Sequence, residues 1–125
     1  MTVRNVTPML AVADIDAARA FLRDCLGFDV SFTMEGYAYC HRGNGAIRLI
    51  NAEPGADMTD PARQHIVYVD VDNADAVYTK HKAALDALPD GHVRPPFDQP
   101  YNQREFHAIH GPFLFMVGHE ISETK

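Results

Sequence analysis

One feature constrains the fold of this chain more than any other: the same order of predicted elements occurs twice. Residues 3–51 contain an alternating apolar run, a capped amphipathic stretch and three short strand-like runs. The same order returns in residues 63–119. Between the two, residues 52–62 have prolines, a glycine and acidic residues without periodicity, which is typical of a linker. The sequence therefore predicts two βαβββ modules in a single domain of residues 1–125.

Local signals set the boundaries in the first module. Apolar and β-branched residues alternate from Val3 to Val12, which indicates a strand. Asp14 can cap a helix that Gly27 ends. The turn residues 35–36 and 43–45 then separate three strand-like runs. These runs are Phe28–Met34, Tyr37–Arg42 and Ala46–Asn51.

The second module shows the same kinds of signal. A strand is predicted over Gln64–Asp70, and Asp72 can cap a helix whose apolar stripe includes His81. Pro89-Asp90-Gly91 stops that helix, and the proline-rich residues 95–100 are predicted to form a loop. The remaining strands are predicted at His92–Arg94, Arg104–Ile109 and Phe113–Val117.

An internal repeat is visible when the chain is shifted by 56 residues. This shift places Asp14-Ile15-Asp16 on Asp70-Val71-Asp72, and it matches small and apolar residues further along both helices. A module of about 60 residues buries little surface by itself. We therefore expect the two modules to complete each other, within one chain or across a dimer.

Composition and charge narrow the possible partners. The 125 residues are 46% hydrophobic and carry a formal net charge of -6. This negative charge disfavours binding to the phosphate backbone of nucleic acids and to anionic lipid. The apolar runs are far too short to span a membrane, and residues 1–5 do not resemble a secretory signal. The two cysteines, Cys25 and Cys40, have no CxxC spacing and are interpreted as small buried residues. These features predict a soluble protein of the reducing cytoplasm that binds neither nucleic acid nor membranes.

Common catalytic motifs are missing from the sequence. No serine lies in a GxSxG motif, and Gly43-Asn44-Gly45 lacks the lysine of a phosphate-binding loop. The seven histidines are not grouped at the spacing that would place several on one helix face. No catalytic residue is therefore predicted.

Two sets of side chains are candidates for ligand contacts. Strand alternation places Tyr37, Tyr39 and His41 on one face, where their rings either bind a planar ligand or cover the sheet. Arg48 lies in an apolar strand, so its guanidinium requires either an acidic partner or an anionic ligand. Arg104, next to Glu105, presents the same alternatives.

Three segments resemble the vicinal oxygen chelate superfamily. They are residues 7–16, residues 21–28, and Arg104-Glu105-Phe106-His107 followed by an apolar run to Gly118. Within that superfamily the chain is most similar to the glyoxalase/bleomycin resistance protein/dioxygenase group, particularly to its bleomycin resistance branch. The resemblance implies paired βαβββ modules, an α+β fold with curled mixed sheets around a cavity, and a homodimer. It also implies that the ligand positions converge in that cavity.

The same resemblance locates the positions at which metal-dependent members hold their ion. Those positions correspond to Thr7, Arg48, His65 and Met116 in this sequence. Only His65 is a usual metal ligand, and Arg48 would oppose a cation. A register shift of one residue at the last position would substitute Phe115, which cannot ligate either. The resemblance therefore implies a site without a metal or another cofactor.

Three functions remain as hypotheses. The first is a metal-free protein that binds a cationic, planar molecule, as bleomycin resistance proteins do. The second is a lyase of glyoxalase type or a dioxygenase of extradiol type, with an atypical metal site around His65. The third is a ligand-sensing module without resistance activity. The predicted ligand-binding residues are Thr7, Tyr37, Tyr39, Arg48, His65, Arg104 and Met116.

Overall fold

The computed structural model describes residues 1–121, which form two compact units. The first unit is Met1–Met58 and the second begins at Thr59, so the boundary lies inside the predicted linker. Each unit has a four-stranded mixed sheet with helical structure packed against it, and the predicted α+β fold class is confirmed. Within the described residues, no helix combines the length and the apolar character needed to cross a membrane.

In the first unit, a 12-residue helix packs against one face of the sheet. The Asp14 side chain accepts a hydrogen bond from the Ala17 amide, and Gly27 ends the helix in the left-handed region with φ of 78°. Strand β1 pairs parallel to β4, and the strand order is β1-β4-β3-β2. The elements are β1 Met9–Val12, α1 Ile15–Leu26, β2 Asp29–Met34, β3 Tyr37–Arg42 and β4 Gly45–Asn51.

Alternation along these strands separates two faces. The buried face meets α1, whose own buried residues include Phe21, Leu22 and Cys25. On the sheet it carries Leu10, Val12, Ala38, Cys40, Ile47 and Leu49. The opposite face, here called the first distal face, carries Met9, Tyr37, Tyr39, His41, Arg48 and Ile50.

The second unit repeats this plan with a divided helix. Its strand order is β5-β8-β7-β6, with β5 parallel to β8. A short 3-10 turn at Pro61–Arg63 precedes β5. The elements are β5 His65–Asp70, α2 Ala74–Lys80, α3 Lys82–Asp86, β6 Val93–Gln99, β7 Gln103–His110 and β8 Phe113–Glu120.

The buried face of the second sheet packs against α2. The rings of Phe106 and Tyr78 meet edge to face with centroids 5.4 Å apart. Phe106 is opposite Val117 in the β7–β8 ladder, and Ala108 is opposite Phe115, so these residues share that face. The other face, here called the second distal face, carries Tyr68, Arg94, Phe97, Gln99, Gln103, Glu105, His107 and Met116.

The proline-rich segment differs from the prediction, because it belongs to a strand. Pro95 and Pro96 lie within β6, at the shift in pairing between Arg94 and Phe97. Proline cannot donate to a strand ladder, and so it is tolerated at a bulge or on an edge strand. β6 satisfies both conditions, since it is the edge of its sheet. A loop prediction from proline content alone was therefore wrong for residues 95–99.

Three other boundaries also differ. The first strand begins at Met9 rather than Val3, and its parallel pairing with β4 starts there, with Met9 opposite Arg48. Asn73, not Asp72, caps the second helix, and its side chain accepts from the Ala76 amide. His81 has φ of -106° and divides the predicted single helix into two. The two caps, Asp14 and Asn73, are 59 positions apart, so the repeat offset of 56 was wrong by three residues.

Candidate functional site

Four of the predicted ligand-binding residues come together on the first distal face. Arg48 is opposite Met9 on β1 and opposite Tyr39 on β3, which places it at the middle of the sheet. Its Nε donates to Thr7 Oγ1 at 3.0 Å, and one terminal nitrogen donates to Tyr37 Oη at 2.6 Å. Its guanidinium carbon lies 4.9 Å from the centroid of the Tyr39 ring, at cation–π distance. Backbone register and two hydrogen bonds thus fix the orientation of the cation.

The charge of Arg48 is not neutralised by a neighbour. Among residues 1–121, no carboxylate oxygen lies within 4.0 Å of its guanidinium nitrogens. Its two side-chain acceptors, Thr7 and Tyr37, are both neutral. A guanidinium has five N–H donors, so several remain for water or a ligand. The acidic partner that the sequence allowed for Arg48 is therefore not found among residues 1–121.

Aromatic and polar groups extend this face toward β2. The ring of Phe32 lies 6.1 Å from that of Tyr37 and is 54% exposed. Ser31 Oγ contacts His41 Nδ1 at the other end of the same strand pair. An exposed ring beside an oriented cation offers both stacking area and a directional donor to a small ligand.

A cleft of about 470 Å³ lies at one end of the same unit. It is formed where the start of α1 meets the turn between β2 and β3. Three carboxylates, Asp14, Asp16 and Glu35, line it together with Tyr37, and Arg19 pairs with Asp16. Tyr37 therefore belongs to both the cleft and the Arg48 cluster.

Two predicted ligand-binding residues of the second unit, His65 and Met116, lie on opposite faces of its sheet. His65 is opposite Phe113 in the β5–β8 ladder and stacks on its ring with centroids 6.3 Å apart, which places it on the side of the buried face. Met116 lies on the second distal face, opposite Tyr68 and His107. Because successive strand residues point to opposite faces, His65 and Met116 do not converge.

Arg104 is held in an ion pair. Its Nε and one terminal nitrogen donate to the two carboxylate oxygens of Asp75 at 2.8 and 3.1 Å, and the other donates to Asp98 at 3.0 Å. The hydrogen bonds from Arg104 hold the pKa of the Asp75 carboxyl below its usual range. Of the two alternatives for Arg104, the structure therefore shows the ion pair, which ties β7 to α2.

The second distal face contains a cluster of side chains that was not predicted from the sequence. Glu105 has no exposed surface, yet its carboxylate accepts four hydrogen bonds. Oε1 accepts from the hydroxyls of Tyr68 at 3.0 Å and Tyr101 at 2.9 Å. Oε2 accepts from Gln99 Nε2 at 3.1 Å and His107 Nε2 at 2.5 Å. The only sequence signal for this cluster was a carboxylate, Glu105, inside the predicted strand Arg104–Ile109.

The backbone leaves room for this cluster at a glycine. Gly118 is opposite Glu105 in the β7–β8 ladder, and a Cβ at Gly118 would collide with the Tyr68 hydroxyl. The absence of a side chain therefore lets Tyr68 reach the carboxylate. The Tyr68 hydroxyl also lies 3.0 Å from Gln103 Oε1.

The protonation states follow from burial and hydrogen bonding. Burial favours the neutral form of Glu105, but the bonds from His107, Gln99, Tyr101 and Tyr68 together lower its pKa below the ordinary value. Burial, with the bond to Glu105, raises the pKa of Tyr68 well above its ordinary value. Tyr68 therefore remains a donor and Glu105 an anion near neutral pH.

Burial also raises the pKa of the Cys25 thiol, in α1 of the first unit, to about 11, so this thiol is a poor nucleophile.

The sequence matches the model of a known protein family. Residues 5–117 match the model of the Glyoxalase/Bleomycin resistance protein/Dioxygenase superfamily, which is most of the chain. The chain belongs to that superfamily. A comparison with curated protein sequences gave no match.

Several solved structures share the fold at low sequence identity. A bleomycin resistance determinant encoded on transposon Tn5 is 20% identical with a TM-score of 0.77, over 94% of this chain and 98% of that one. A bleomycin-binding protein from Streptomyces verticillus, complexed with copper(II)-bleomycin, is 21% identical with a TM-score of 0.73, over 98% and 99%. A lactoylglutathione lyase from Agrobacterium tumefaciens is 20% identical with a TM-score of 0.67, over 94% and 95%.

The donor set at the superfamily's metal positions does not fit a metal ion. Thr7 is engaged with Arg48, and Arg48 is itself a cation. Met116 offers only a thioether, and His65 stacks on Phe113. Within residues 1–121, no group of three His, Cys, Asp or Glu side chains gathers at metal-binding distance. A catalytic zinc site ordinarily uses three protein ligands and a water, so these residues do not supply one.

Proposed function

We propose that this chain is a metal-free small-molecule binding protein whose ligand contacts the first distal face around Arg48. The observation that carries the proposal is the uncompensated cation. Arg48 is half-buried, is oriented by Thr7 and Tyr37, and has no carboxylate neighbour among the described residues. A cation in this state gains most from a ligand that brings an acceptor group, and its fixed position reduces the entropy lost on binding.

The surroundings of Arg48 support a proposal for the chemical class of the ligand. Tyr39 and the exposed ring of Phe32 offer aromatic contact area to a planar group. The net charge of -6 attracts cations at long range, but salt screens such attraction beyond about 8 Å. Arg48 acts at contact distance. We therefore infer a planar ligand that directs an anionic or acceptor group at Arg48, with any cationic part elsewhere.

Bleomycin-like antibiotics are the first compounds to test. Two similar structures are a bleomycin resistance determinant and a bleomycin-binding protein, and sequestration requires no catalytic group. A homodimer is part of the same proposal, because modules of about 60 residues gain buried surface by pairing. A cytoplasmic location is a further part of it. A ligand-sensing module without resistance activity would use the same contacts. Growth of expressing cells on the antibiotic distinguishes the two roles.

The second candidate is a metal-dependent enzyme of this superfamily. The similarity to a lactoylglutathione lyase supports it, whereas the donor set of Thr7, Arg48 and Met116 opposes it. Elemental analysis of the purified protein tests this candidate directly. About one tightly held metal ion per chain, lost on His65→Ala, would replace the binding proposal with the enzyme.

Calorimetric titration with bleomycin, metal-free and copper(II)-loaded, tests the binding proposal. We expect saturable binding that Arg48→Met weakens about tenfold or more, because a charge-assisted hydrogen bond is lost. Arg23→Met is the matched control, since Arg23 pairs with Asp24 on the surface of α1. Circular dichroism confirms that both variants are folded. Equal affinity in wild type and Arg48→Met would contradict the role of Arg48, and no binding would exclude this class of antibiotic.

A further inference from the structure

The two hydroxyls that orient Arg48 still have their own hydrogens to donate. A guanidinium has only N–H donors, so Thr7 Oγ1 and Tyr37 Oη are the acceptors in their contacts with Arg48. A hydroxyl that accepts a hydrogen bond keeps its O–H, which points away from the donor. Among residues 1–121, neither O–H has an acceptor. Thr7 and Tyr37 therefore each offer a donor to a ligand.

The third nitrogen of the guanidinium also has hydrogens to donate. Thr7 accepts from Nε and Tyr37 from Nη1, whereas Nη2 of Arg48 has no hydrogen-bond partner within residues 1–121. Nη2 is not one of the buried polar atoms that lack a partner in this part of the chain, so it is accessible to solvent. The centre of the first distal face thus presents N–H and O–H donors around a single positive charge.

Such a set of donors favours a ligand group that only accepts hydrogen bonds. An ionised carboxylate has two acceptor oxygens and no donor, whereas amide and ammonium groups carry hydrogens that would meet those of the site. One guanidinium balances the single charge of a carboxylate. The cleft beside Tyr37 has the opposite character, because Asp14, Asp16 and Glu35 line it and repel an anion. An anionic group is therefore favoured at Arg48 and disfavoured in the cleft.

Exposed apolar side chains flank these donors. Met9 lies opposite Arg48 on β1 and is 51% exposed. Phe32 lies on β2 beside Tyr37, and its ring is also exposed. The Tyr39 ring lies against the guanidinium, so that face supports the cation and is not open to a ligand. A flat ring attached to a bound carboxylate would bury apolar surface of Met9 and Phe32.

We propose that the ligand of the first distal face is a planar aromatic carboxylate, and that the hydroxyls of Thr7 and Tyr37 determine this specificity. The carboxylate accepts from Arg48 Nη2 and from the two hydroxyls, while the ring packs on Phe32 and Met9. No covalent bond forms or breaks. The assignment of a carboxylate rests on the proposed function, because the site is the same. It adds discrimination between an acid and a neutral analogue of the same shape.

2-Naphthoate and 2-naphthamide are suitable probes, because they share one ring system and only the amide is neutral and carries N–H donors. In titrations of the full-length protein followed by NMR, we expect saturable binding of 2-naphthoate and an affinity for 2-naphthamide that is about tenfold lower. Arg48→Met should abolish this preference.

Variants of the two hydroxyls test the specificity itself. Tyr37→Phe and Thr7→Val should each weaken 2-naphthoate binding about threefold or more, and should reduce its preference over 2-naphthamide. Thr7→Ser keeps a hydroxyl and should retain most of the wild-type affinity. Tyr78→Phe is the matched control, since Tyr78 packs on Phe106 in the second unit, and it should leave both affinities unchanged.

Four results would overturn the carboxylate assignment. They are the absence of saturable 2-naphthoate binding to folded wild type, equal affinity for the two probes, a preference that survives Arg48→Met, and a preference unchanged in both Tyr37→Phe and Thr7→Val. Acetate that competes with 2-naphthoate at equal affinity would overturn the aromatic part. Failure of the proposed function is seen separately, in the bleomycin titration. Bleomycin binding that requires Arg48, without any preference for 2-naphthoate, would refute the carboxylate and leave the proposed function in place.

Discussion

The two distal faces follow the same strand plan but are organised around opposite charges. The first centres on the cation of Arg48, which has two neutral side-chain acceptors and unused donors. The second centres on the anion of Glu105, which has four donors and no exposed surface. A saturated charge stabilises the protein and positions its neighbours, whereas an unsaturated charge is ready for a ligand. This difference supports the proposal that Glu105 stabilises the fold whereas Arg48 contacts a ligand.

The largest effect should come from removing the saturated charge. Glu105→Gln keeps the shape of the side chain but replaces one carboxylate oxygen with an NH₂ group. The hydrogen-bond donors that face this oxygen in the wild type then have no acceptor. We expect a loss of about 3 kcal/mol in the free energy of unfolding, measured by urea denaturation at neutral pH. Glu120→Gln, at the exposed end of β8, is the matched control and should stay within about 0.5 kcal/mol of wild type.

The same variant also tests the charge state of Glu105. Its folded pKa is lowered from an ordinary value of 4.5, so its stabilising contribution is complete above that value and is lost as the pH falls through the lower folded pKa. Wild type should therefore approach Glu105→Gln in stability as the solution is acidified below 4.5. A constant difference between the two proteins across this range would show that Glu105 is not an anion in the folded state.

A smaller effect is expected at the glycine that makes room for the cluster. Gly118→Ala places a methyl group against the Tyr68 hydroxyl and should cost about 1–3 kcal/mol of stability. Removing the hydroxyl relieves the collision, so the loss on Gly118→Ala should be smaller when Tyr68→Phe is already present. A double-mutant cycle in urea measures this coupling.

Gly45→Ala is the control for that cycle, because Gly45 has no positive φ and its nearest atom, Arg42 O, is 3.5 Å from an added Cβ. Additive effects at positions 118 and 68 would mean that Tyr68 does not depend on the space beside Gly118. The interpretation of Gly118 as part of the Glu105 cluster would then fail.

Local patterns in the sequence predicted most of the fold, because they are encoded within a few residues. Strand β3 was predicted with the observed bounds, Tyr37–Arg42, since alternation and a glycine turn define both of its ends. Arg48 was predicted because a guanidinium among apolar neighbours needs a partner, whereas strand alternation pointed to Tyr37 and Tyr39 and the family resemblance to Thr7. Proline content misled the assignment of β6, because only the sheet topology shows that this strand is an edge.

The Glu105 cluster is the part of the candidate site that sequence could not supply. Its donors come from β5, β6, β7 and the turn before β7, and their convergence depends on strand register. A one-residue shift would turn Tyr68 to the other face. His65 shows the same dependence, since its ladder position opposite Phe113 turns it away from the face that carries Met116.

The smallest expected effect on stability is at Arg48. The size of this effect shows whether Arg48 is an unsaturated charge or, like Glu105, a saturated one. A buried ion pair broken by Arg48→Met would leave a stranded carboxylate and cost about 3–5 kcal/mol. Arg48 has neutral partners, and methionine retains most of the aliphatic packing of its stem. We therefore expect urea denaturation to show a change within about 1 kcal/mol. A loss as large as that of Glu105→Gln would mean that Arg48 supports the fold as Glu105 does. The contrast between an unsaturated and a saturated centre would then be lost, because ligand affinity could no longer be separated from folding in this variant.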